Sequence, residues 1–214
     1  MPKANPFAPR YHFLPEKGWM NDPNGLVYFR EQWHLFYQFY DPNLVDGMQW
    51  GHAVSDDLIR WRHLPPALQP DSHGQIWSGS AVVDHHDTSG LFGGGDGIVC
   101  LFTYWDKSDH RQCQGMAYSA DGVTFRTYEG NPVIPQLRHL SGHPDDKDFR
   151  DPKVFRHEES GRWVMAVAGG KLRIFTSTDL AHWTFESVAE DIRTECPDLF
   201  KLPLDGDPDA SQWL

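Results

Sequence analysis

Residues 51–61 read Gly-His-Ala-Val-Ser-Asp-Asp-Leu-Ile-Arg-Trp, a short strand followed by a serine, an acid and an aromatic residue. The same pattern returns at residues 115–125 and 173–183, so the copies begin roughly 60 residues apart. Two apolar strands precede each copy, and a further strand follows each closing aromatic residue. Four strands per unit at this period predict the blades of a β-propeller.

The repeat divides the chain into units. Helical periodicity is almost absent, which favours an all-β fold. We predict blades at residues 20–75, 76–140 and 148–192, with the first strand of a fourth blade within 195–214. A ring of three blades and one strand is open, so we expect residues 1–214 to be the N-terminal part of a longer protein. Completion by another chain and natural truncation are the alternatives.

The composition limits the classes of partner and site. The chain has 19 basic and 30 acidic residues and a formal net charge of -11, which argues against nucleic acid or an anionic membrane as partner. The chain has an odd number of cysteines, Cys100, Cys113 and Cys196, and none of them stands in a CxxC spacing. We therefore predict neither a disulfide framework nor a zinc site. We also predict no other metal and no cofactor, and the sequence carries no signal for an oligomeric state.

The first ten residues are polar and contain prolines, without the apolar centre of a secretion signal. We therefore expect a cytoplasmic protein, or a secreted one if a leader has been removed.

Three acids stand at proline turns that lead into short apolar segments. Asp22 opens Asp-Pro-Asn-Gly-Leu-Val-Tyr-Phe, Asp151 opens Asp-Pro-Lys-Val-Phe, and Glu195 opens Glu-Cys-Pro-Asp-Leu-Phe. The matching place in the second unit is Trp-Ser-Gly at residues 77–79. Because the first strand of each blade lines the propeller channel, we expect the three acids to face one funnel. Converging carboxyl groups are suited to acid/base and nucleophilic chemistry on a sugar.

Six segments, in order along the chain, resemble glycoside hydrolase family 32, the β-fructofuranosidases that include invertases, levanases, inulinases and sucrose-6-phosphate hydrolases. They are residues 19–25, 33–38, 50–52, 77–84, 149–152 and 195–197. The resemblance implies a five-bladed catalytic propeller followed by a C-terminal β-sandwich, which these 214 residues do not contain.

The resemblance also implies roles for the acids. Asp22 is expected to be the nucleophile that attacks the anomeric carbon of a fructosyl unit. Glu195 is expected to protonate the leaving group and then to activate water. Asp151 is expected to bind fructose hydroxyls and to stabilise the transition state. The reaction implied is a retaining double displacement.

Further positions match substrate contacts of the family: Asn21, Gln38, Trp50, Ser78 and Arg150. Amide, hydroxyl and guanidinium groups suit the hydroxyl-rich fructose ring. The Trp50 indole is expected to form a wall of the pocket. Cys196, next to the acid, is predicted to be a small buried hydrophobic residue, with tuning of the acid as the alternative.

The implied function is release of fructose from β-D-fructofuranosides, among them sucrose, fructo-oligosaccharides, levan and inulin. Residues 84–90, 130–135 and 198–206 resemble levanases, inulinases and secreted invertases more than sucrose-6-phosphate hydrolases. Two alternatives stay open, a non-catalytic fructan-binding fragment and a fructosyltransferase that uses the same nucleophile. The related inverting propeller glycosidases are disfavoured because they lack the Asn-Asp-Pro-Asn-Gly turn.

Overall fold

The computed structural model describes residue 9, residues 11–136 and residues 148–214. The localisation was predicted from the first ten residues, and of these only residue 9 is among the described residues. The predicted end of the second blade, at residue 140, also lies outside the described residues. Among the described residues no helix is long and apolar enough to cross a membrane.

The described part of the chain consists of β-strands that pair in chain order. Three sheets of four antiparallel strands are followed by one two-stranded hairpin. The first sheet contains β1 (Trp19–Phe29), β2 (Gln32–Tyr40), β3 (Gln49–Ser55) and β4 (Arg62–Leu68). The second contains β5 (Gln75–Asp84), β6 (Gly97–Trp105), β7 (Gln112–Ser119) and β8 (Arg126–Thr127). The third contains β9 (Arg150–His157), β10 (Arg162–Ala168), β11 (Leu172–Ser177) and β12 (Thr184–Ala189), and the hairpin contains β13 (Lys201–Leu204) and β14 (Asp207–Trp213).

The repeated serine and acid form the same turn after the third strand of every sheet. In the first copy, the Ser55 hydroxyl accepts the Leu58 N–H at 2.9 Å, and Asp57 Oδ1 accepts the N–H groups of Ile59 and Arg60. The other two copies make equivalent bonds through Ser119 with Asp121 and through Ser177 with Asp179. In each copy the residue after the acid has a left-handed backbone: Leu58 at φ 62°, Gly122 at 74° and Leu180 at 64°. The sequence repeat is therefore a structural repeat.

The core lies between the sheets, and β6 shows how it is built. Cys100 and Phe102 pack toward the first sheet, whereas Val99 and Leu101 pack toward the third. A strand with neighbours on both faces has no polar face, which explains the continuous apolar run from residue 98 to 102.

The first strands of the three sheets are neighbours. The Ser80 hydroxyl of β5 donates to the Pro152 carbonyl at 2.8 Å and accepts the Val154 N–H at 2.9 Å, which joins β5 to β9. Gly25 of β1 lies so close to β5 that a Cβ there would stand 2.7 Å from the Ala81 Cβ. Consecutive four-stranded sheets with adjacent first strands confirm the prediction of an all-β propeller. The total of five blades stays a prediction.

The structure differs from the sequence prediction at two places. Asp22 and Asp151 lie within β1 and β9, not ahead of them. Glu195 lies on the segment between β12 and β13, and the last part of the chain forms a hairpin where one strand was expected.

Candidate active site

Site residues occupy an irregularity in the first strand of each sheet. In β1, Asn21 and Asp22 stand opposite the single residue Gln38 of β2. In β5, Ser78 is an extra residue between the paired Trp77 and Gly79. In β9, Asp151 and Pro152 stand opposite Val167 alone. An extra residue bends the strand and redirects its side chains, so these bulges aim the side chains of Asp22, Ser78 and Asp151.

The three acids line one cavity of about 310 Å3. Its walls comprise Trp19, Asn21, Asp22, Gln38, Met48, Trp77, Ser78, Arg150, Asp151 and Glu195. The chain thus brings Asp22 together with two carboxyl groups that lie more than a hundred residues further along the sequence. Of the eight site residues predicted from the sequence, Trp50 alone is absent from these walls.

Asp22 is held by two groups that both contact Oδ2. The Ser78 hydroxyl donates to this oxygen at 2.6 Å, and the Cys196 thiol donates to it at 3.4 Å. The first contact crosses from the second sheet to the first, because the two bulged strands β1 and β5 are adjacent. The orientation of the Asp22 carboxylate is therefore set by residues on two other parts of the chain.

Asp151 is the buried acid of the site, with 6% of its surface exposed. Its Oδ2 accepts the Cys196 N–H at 3.1 Å and lies 3.8 Å from Arg150 Nε. Burial raises the pKa of Asp151, and the nearby charges of Asp22 and Glu195 add to that effect. The Cys196 N–H and the Arg150 guanidinium lower the pKa without cancelling the rise.

Glu195 is the exposed acid, with 70% of its side chain accessible, and it is held by Arg150. One guanidinium nitrogen of Arg150 lies 2.5 Å from Glu195 Oε1, and another lies 2.8 Å from Asp148 Oδ1. Burial alone would lower the pKa of Arg150, but the carboxylates of Glu195, Asp148 and Asp151 raise it overall. Arg150 thus links Glu195 to Asp148, lies beside Asp151 and stays charged.

The prediction that Cys196 is a buried hydrophobic residue is wrong. The residue is exposed, and it bridges two acids, its N–H bonding Asp151 and its thiol bonding Asp22. Partial desolvation and the two carboxylates raise the pKa of the Cys196 thiol, so the thiol stays protonated and can donate. Its backbone is left-handed, with φ 45°.

The prediction that Trp50 forms a wall of the pocket is also wrong. Trp50 is fully buried between Phe36 and Phe102, because β3 carries it into the core between the first and second sheets. Its indole N–H donates to the Trp77 carbonyl at 3.0 Å, so it supports the cavity from behind. Gln38 also supports the cavity, because its side chain donates to the Ile76 carbonyl at 3.0 Å. Unlike Trp50, Gln38 lines the cavity as well.

Sequence reasoning missed the two tryptophans that do form the walls. Trp19 is 53% exposed, and Trp77 stacks on Trp105 with 5.1 Å between ring centroids and 7° between planes. The signal in the sequence was their position, because each stands within two residues of a predicted site residue. Flat aromatic faces of this kind suit the apolar faces of sugar rings. Among the described residues, no group of three or more His, Cys, Asp or Glu side chains could hold a metal ion.

Comparisons with known proteins agree with the geometry. Residues 12–214 match the family model described as the glycosyl hydrolases family 32 N-terminal domain. The chain is 49% identical to a levanase of Bacillus subtilis strain 168 over 97% of this chain and 31% of that protein.

Solved structures are also similar. The exo-inulinase of Aspergillus awamori superposes with a TM-score of 0.84 at 38% identity, over 95% of this chain and 44% of that one. The β-fructofuranosidase of Schwanniomyces occidentalis, solved with fructosyl-erythritol, gives a TM-score of 0.80 at 40% identity, over 96% of this chain and 41% of that one. The chain therefore spans less than half the length of each of these relatives.

Proposed function

The chain belongs to glycosyl hydrolases family 32, and from that premise we propose that it carries the catalytic carboxyl groups of an enzyme that releases fructose from β-D-fructofuranosides. The observation that carries the proposal is the single cavity shared by Asp22, Asp151 and Glu195. The substrate class follows the names of its relatives, levanase, exo-inulinase and β-fructofuranosidase, so we propose sucrose and levan- or inulin-type fructans.

The proposed first step is attack by Asp22 on the anomeric carbon while Glu195 protonates the departing oxygen. The hydrogen bonds from Ser78 and Cys196 to Oδ2 fix the direction of the Asp22 carboxylate. The nucleophile is therefore already oriented before the substrate binds. The bond that breaks joins the fructosyl carbon to the leaving-group oxygen, and the product is a fructosyl ester of Asp22.

The proposed second step is hydrolysis of that ester. Glu195, now a carboxylate, accepts a proton from water, and the oxygen of the water attacks the anomeric carbon and releases Asp22. The exposure of Glu195 suits this role, since water and the leaving group must both reach it. Asp151, buried and held by backbone and guanidinium groups, binds the sugar hydroxyls without forming a bond to carbon.

The test uses the gene product that contains this chain, with sucrose, inulin and levan as substrates and free fructose as the readout. Asp22→Asn removes the nucleophile at nearly constant volume, so we expect turnover to fall by at least about a thousandfold with the fold intact. Asp56→Asn is the matched control, because Asp56 is exposed and follows the end of β3 that points away from the cavity. A folded wild-type protein that frees no fructose from any of the three substrates would overturn the proposal.

Stereochemistry tests the retaining mechanism separately. With methanol present, a double displacement transfers fructose to the alcohol with the β configuration, whereas a single displacement by the acceptor gives the α product. Detection of methyl β-D-fructofuranoside by NMR supports the role proposed for Asp22. Trisaccharide formed at high sucrose concentration would assign the chain to fructosyl transfer, with the same nucleophile.

A further inference from the structure

The backbone that presents Asp151 is held in an unusual conformation. Asp151 has a φ of 61°, a left-handed value that non-glycine residues seldom adopt without support from their surroundings. The bulge at Asp151 and Pro152 also removes the ladder partner that the Asp151 N–H would otherwise have on β10. This buried N–H needs another acceptor.

Thr103 of β6 supplies that acceptor. Its hydroxyl is fully buried and accepts the Asp151 N–H at 3.0 Å. The same hydroxyl donates to Gln114 Oε1 at 3.0 Å. Gln114, also fully buried, donates through Nε2 to the Phe149 carbonyl at 2.8 Å.

The Phe149 carbonyl determines which group donates and which accepts in each of these hydrogen bonds. The Phe149 carbonyl can only accept, so the Gln114 amide must turn its Nε2 toward Phe149 and its Oε1 toward Thr103. The Thr103 proton must then point to Gln114, which leaves a lone pair for the Asp151 N–H. Gln112 extends the set, since its Oε1 accepts the Phe149 N–H at 2.7 Å. Side chains of the second sheet thus bind three backbone groups of residues 149–151.

We propose that Thr103 and Gln114, assisted by Gln112, are positioning residues that hold the Asp151 backbone in the conformation that aims its carboxylate into the cavity. The inference rests on the proposed function, because it assigns these residues to the same reaction. None of the three lines the cavity, and they act through the backbone of residues 149–151.

The effect of these residues extends beyond Asp151. Asp151 Oδ2 accepts the N–H of Cys196, whose thiol contacts Asp22 and whose preceding residue is Glu195. A rotation of the Asp151 backbone therefore shifts the group that links all three acids. Thr103 is also polar within an otherwise apolar buried strand, where a hydroxyl is tolerated because both of its hydrogen-bonding functions are used.

The experiment compares Thr103→Val with Thr103→Ser in the gene product that contains this chain, on a fructoside that the wild type hydrolyses. Valine keeps the shape and removes the hydroxyl, so we expect kcat to fall at least tenfold with KM within threefold. Serine restores the hydroxyl, so we expect kcat within threefold of the wild type. The matched control is Thr88→Val, since the Thr88 hydroxyl also joins the second sheet to the third, by accepting the Trp163 indole N–H at 2.8 Å, without contacting the site.

Thr88→Val is expected to lower the melting temperature about as much as Thr103→Val while it keeps wild-type kcat. Wild-type turnover in Thr103→Val, or an equal loss in Thr103→Ser, would overturn the inference and leave the proposed function standing. If Thr103→Val does not fold, Gln112→Leu replaces it. A three- to tenfold loss of kcat there supports the inference, and unchanged kcat overturns it. A wild type that frees no fructose overturns the proposed function itself, and the positioning role with it.

Discussion

At the scale of single residues, Asp151 stands out because it is a carboxyl group held away from water beside two other acids. Burial, Asp22 and Glu195 raise its pKa, so the folded state binds a proton on Asp151 at a higher pH than the unfolded chain does. Stability is therefore lost as the pH rises from the unfolded pKa through the folded one. The negative charge of Asp151, which the proposed reaction needs, therefore lowers the stability of the fold.

Asp151→Asn should separate the two effects. The neutral amide can still accept the Cys196 N–H, so we predict a higher melting temperature at pH 7, by about 2–4 °C for each kcal/mol recovered, together with loss of turnover. The gain should be smaller at pH 4 than at pH 7, because the pKa of Asp151 is raised and a larger fraction of its carboxyl groups is protonated at the lower pH. Thermal melts of both proteins at the two pH values provide the measurement. A lower melting temperature at pH 7 would mean that the contact with Arg150 outweighs burial.

The repeat in the sequence predicted that the three acids come together, and they line one cavity, whereas their chemical roles stay predictions. Sequence reasoning failed for Trp50, Trp77 and Cys196, because the direction of a side chain depends on pleat and bulge. A strand places neighbouring residues on opposite faces, and one extra residue reverses the alternation. The identity of Trp50 carries no information on which face of β3 is covered by the next sheet.

At the scale of elements, the bulge in β5 depends on a glycine. Gly79 follows the extra residue Ser78 and lies against β6, where a Cβ would stand 2.0 Å from the Leu101 carbonyl oxygen. The obstacle is backbone, which cannot move aside as a flexible side chain could. The close approach of the two strands is what allows Ser78 to turn toward Asp22.

We therefore predict that Gly79→Ala costs about 3 kcal/mol or more and lowers kcat as Ser78 is displaced. Gly95→Ala is the control, because the nearest atom to its added Cβ is the Phe92 carbonyl oxygen at 3.3 Å in a loop. Urea unfolding and fructose release measure the two effects. Equal stability of the two variants would contradict the tight contact between β5 and β6.

Element prediction succeeded where the repeat was available and failed where it ended. The serine-acid turn after β3, β7 and β11 rests on local hydrogen bonds, so its sequence pattern is reliable. The hairpin of β13 and β14 turns at Asp205 and Gly206, which have φ values of 49° and 81°. Asp-Gly is a strong signal for a two-residue hairpin turn, and it could have identified the second strand.

At the scale of the whole molecule, the sheets are held together by a buried interior that also contains two histidines. His34 and His52 have exposures of 4% and 0%, and His34 Nδ1 lies 3.1 Å from His52 Nε2. The pair stacks near Phe36 within the first sheet. Neither the burial of the two histidines nor the contact between them was evident from the sequence, since both depend on the pairing of β2 with β3.

These histidines predict how the stability of the entire fold depends on pH. Burial, His34 and Arg62 lower the pKa of His52 to about 3, and burial lowers the pKa of His34. The unfolded chain takes up protons at these positions as the pH falls below about 6.5, whereas the folded protein takes them up only at lower pH. Stability is therefore present above the unfolded pKa and is lost as the pH falls toward the folded one, by about 1.4 kcal/mol per pH unit for His52, and His34 acts in the same direction.

Urea unfolding at pH 7, 6 and 5 measures this slope. His52→Gln should be less stable at pH 7 but should show a flatter pH dependence, because one of the groups that gains a proton on unfolding is gone. His85→Gln, on an exposed loop, is the control and should keep the wild-type slope. Between pH 7 and 5 the acids with lowered pKa values, such as Asp57 and Asp121, remain ionised in both states and contribute little. An unchanged slope in His52→Gln would show that His52 is protonated within the folded core or that other groups govern the acid sensitivity of the propeller.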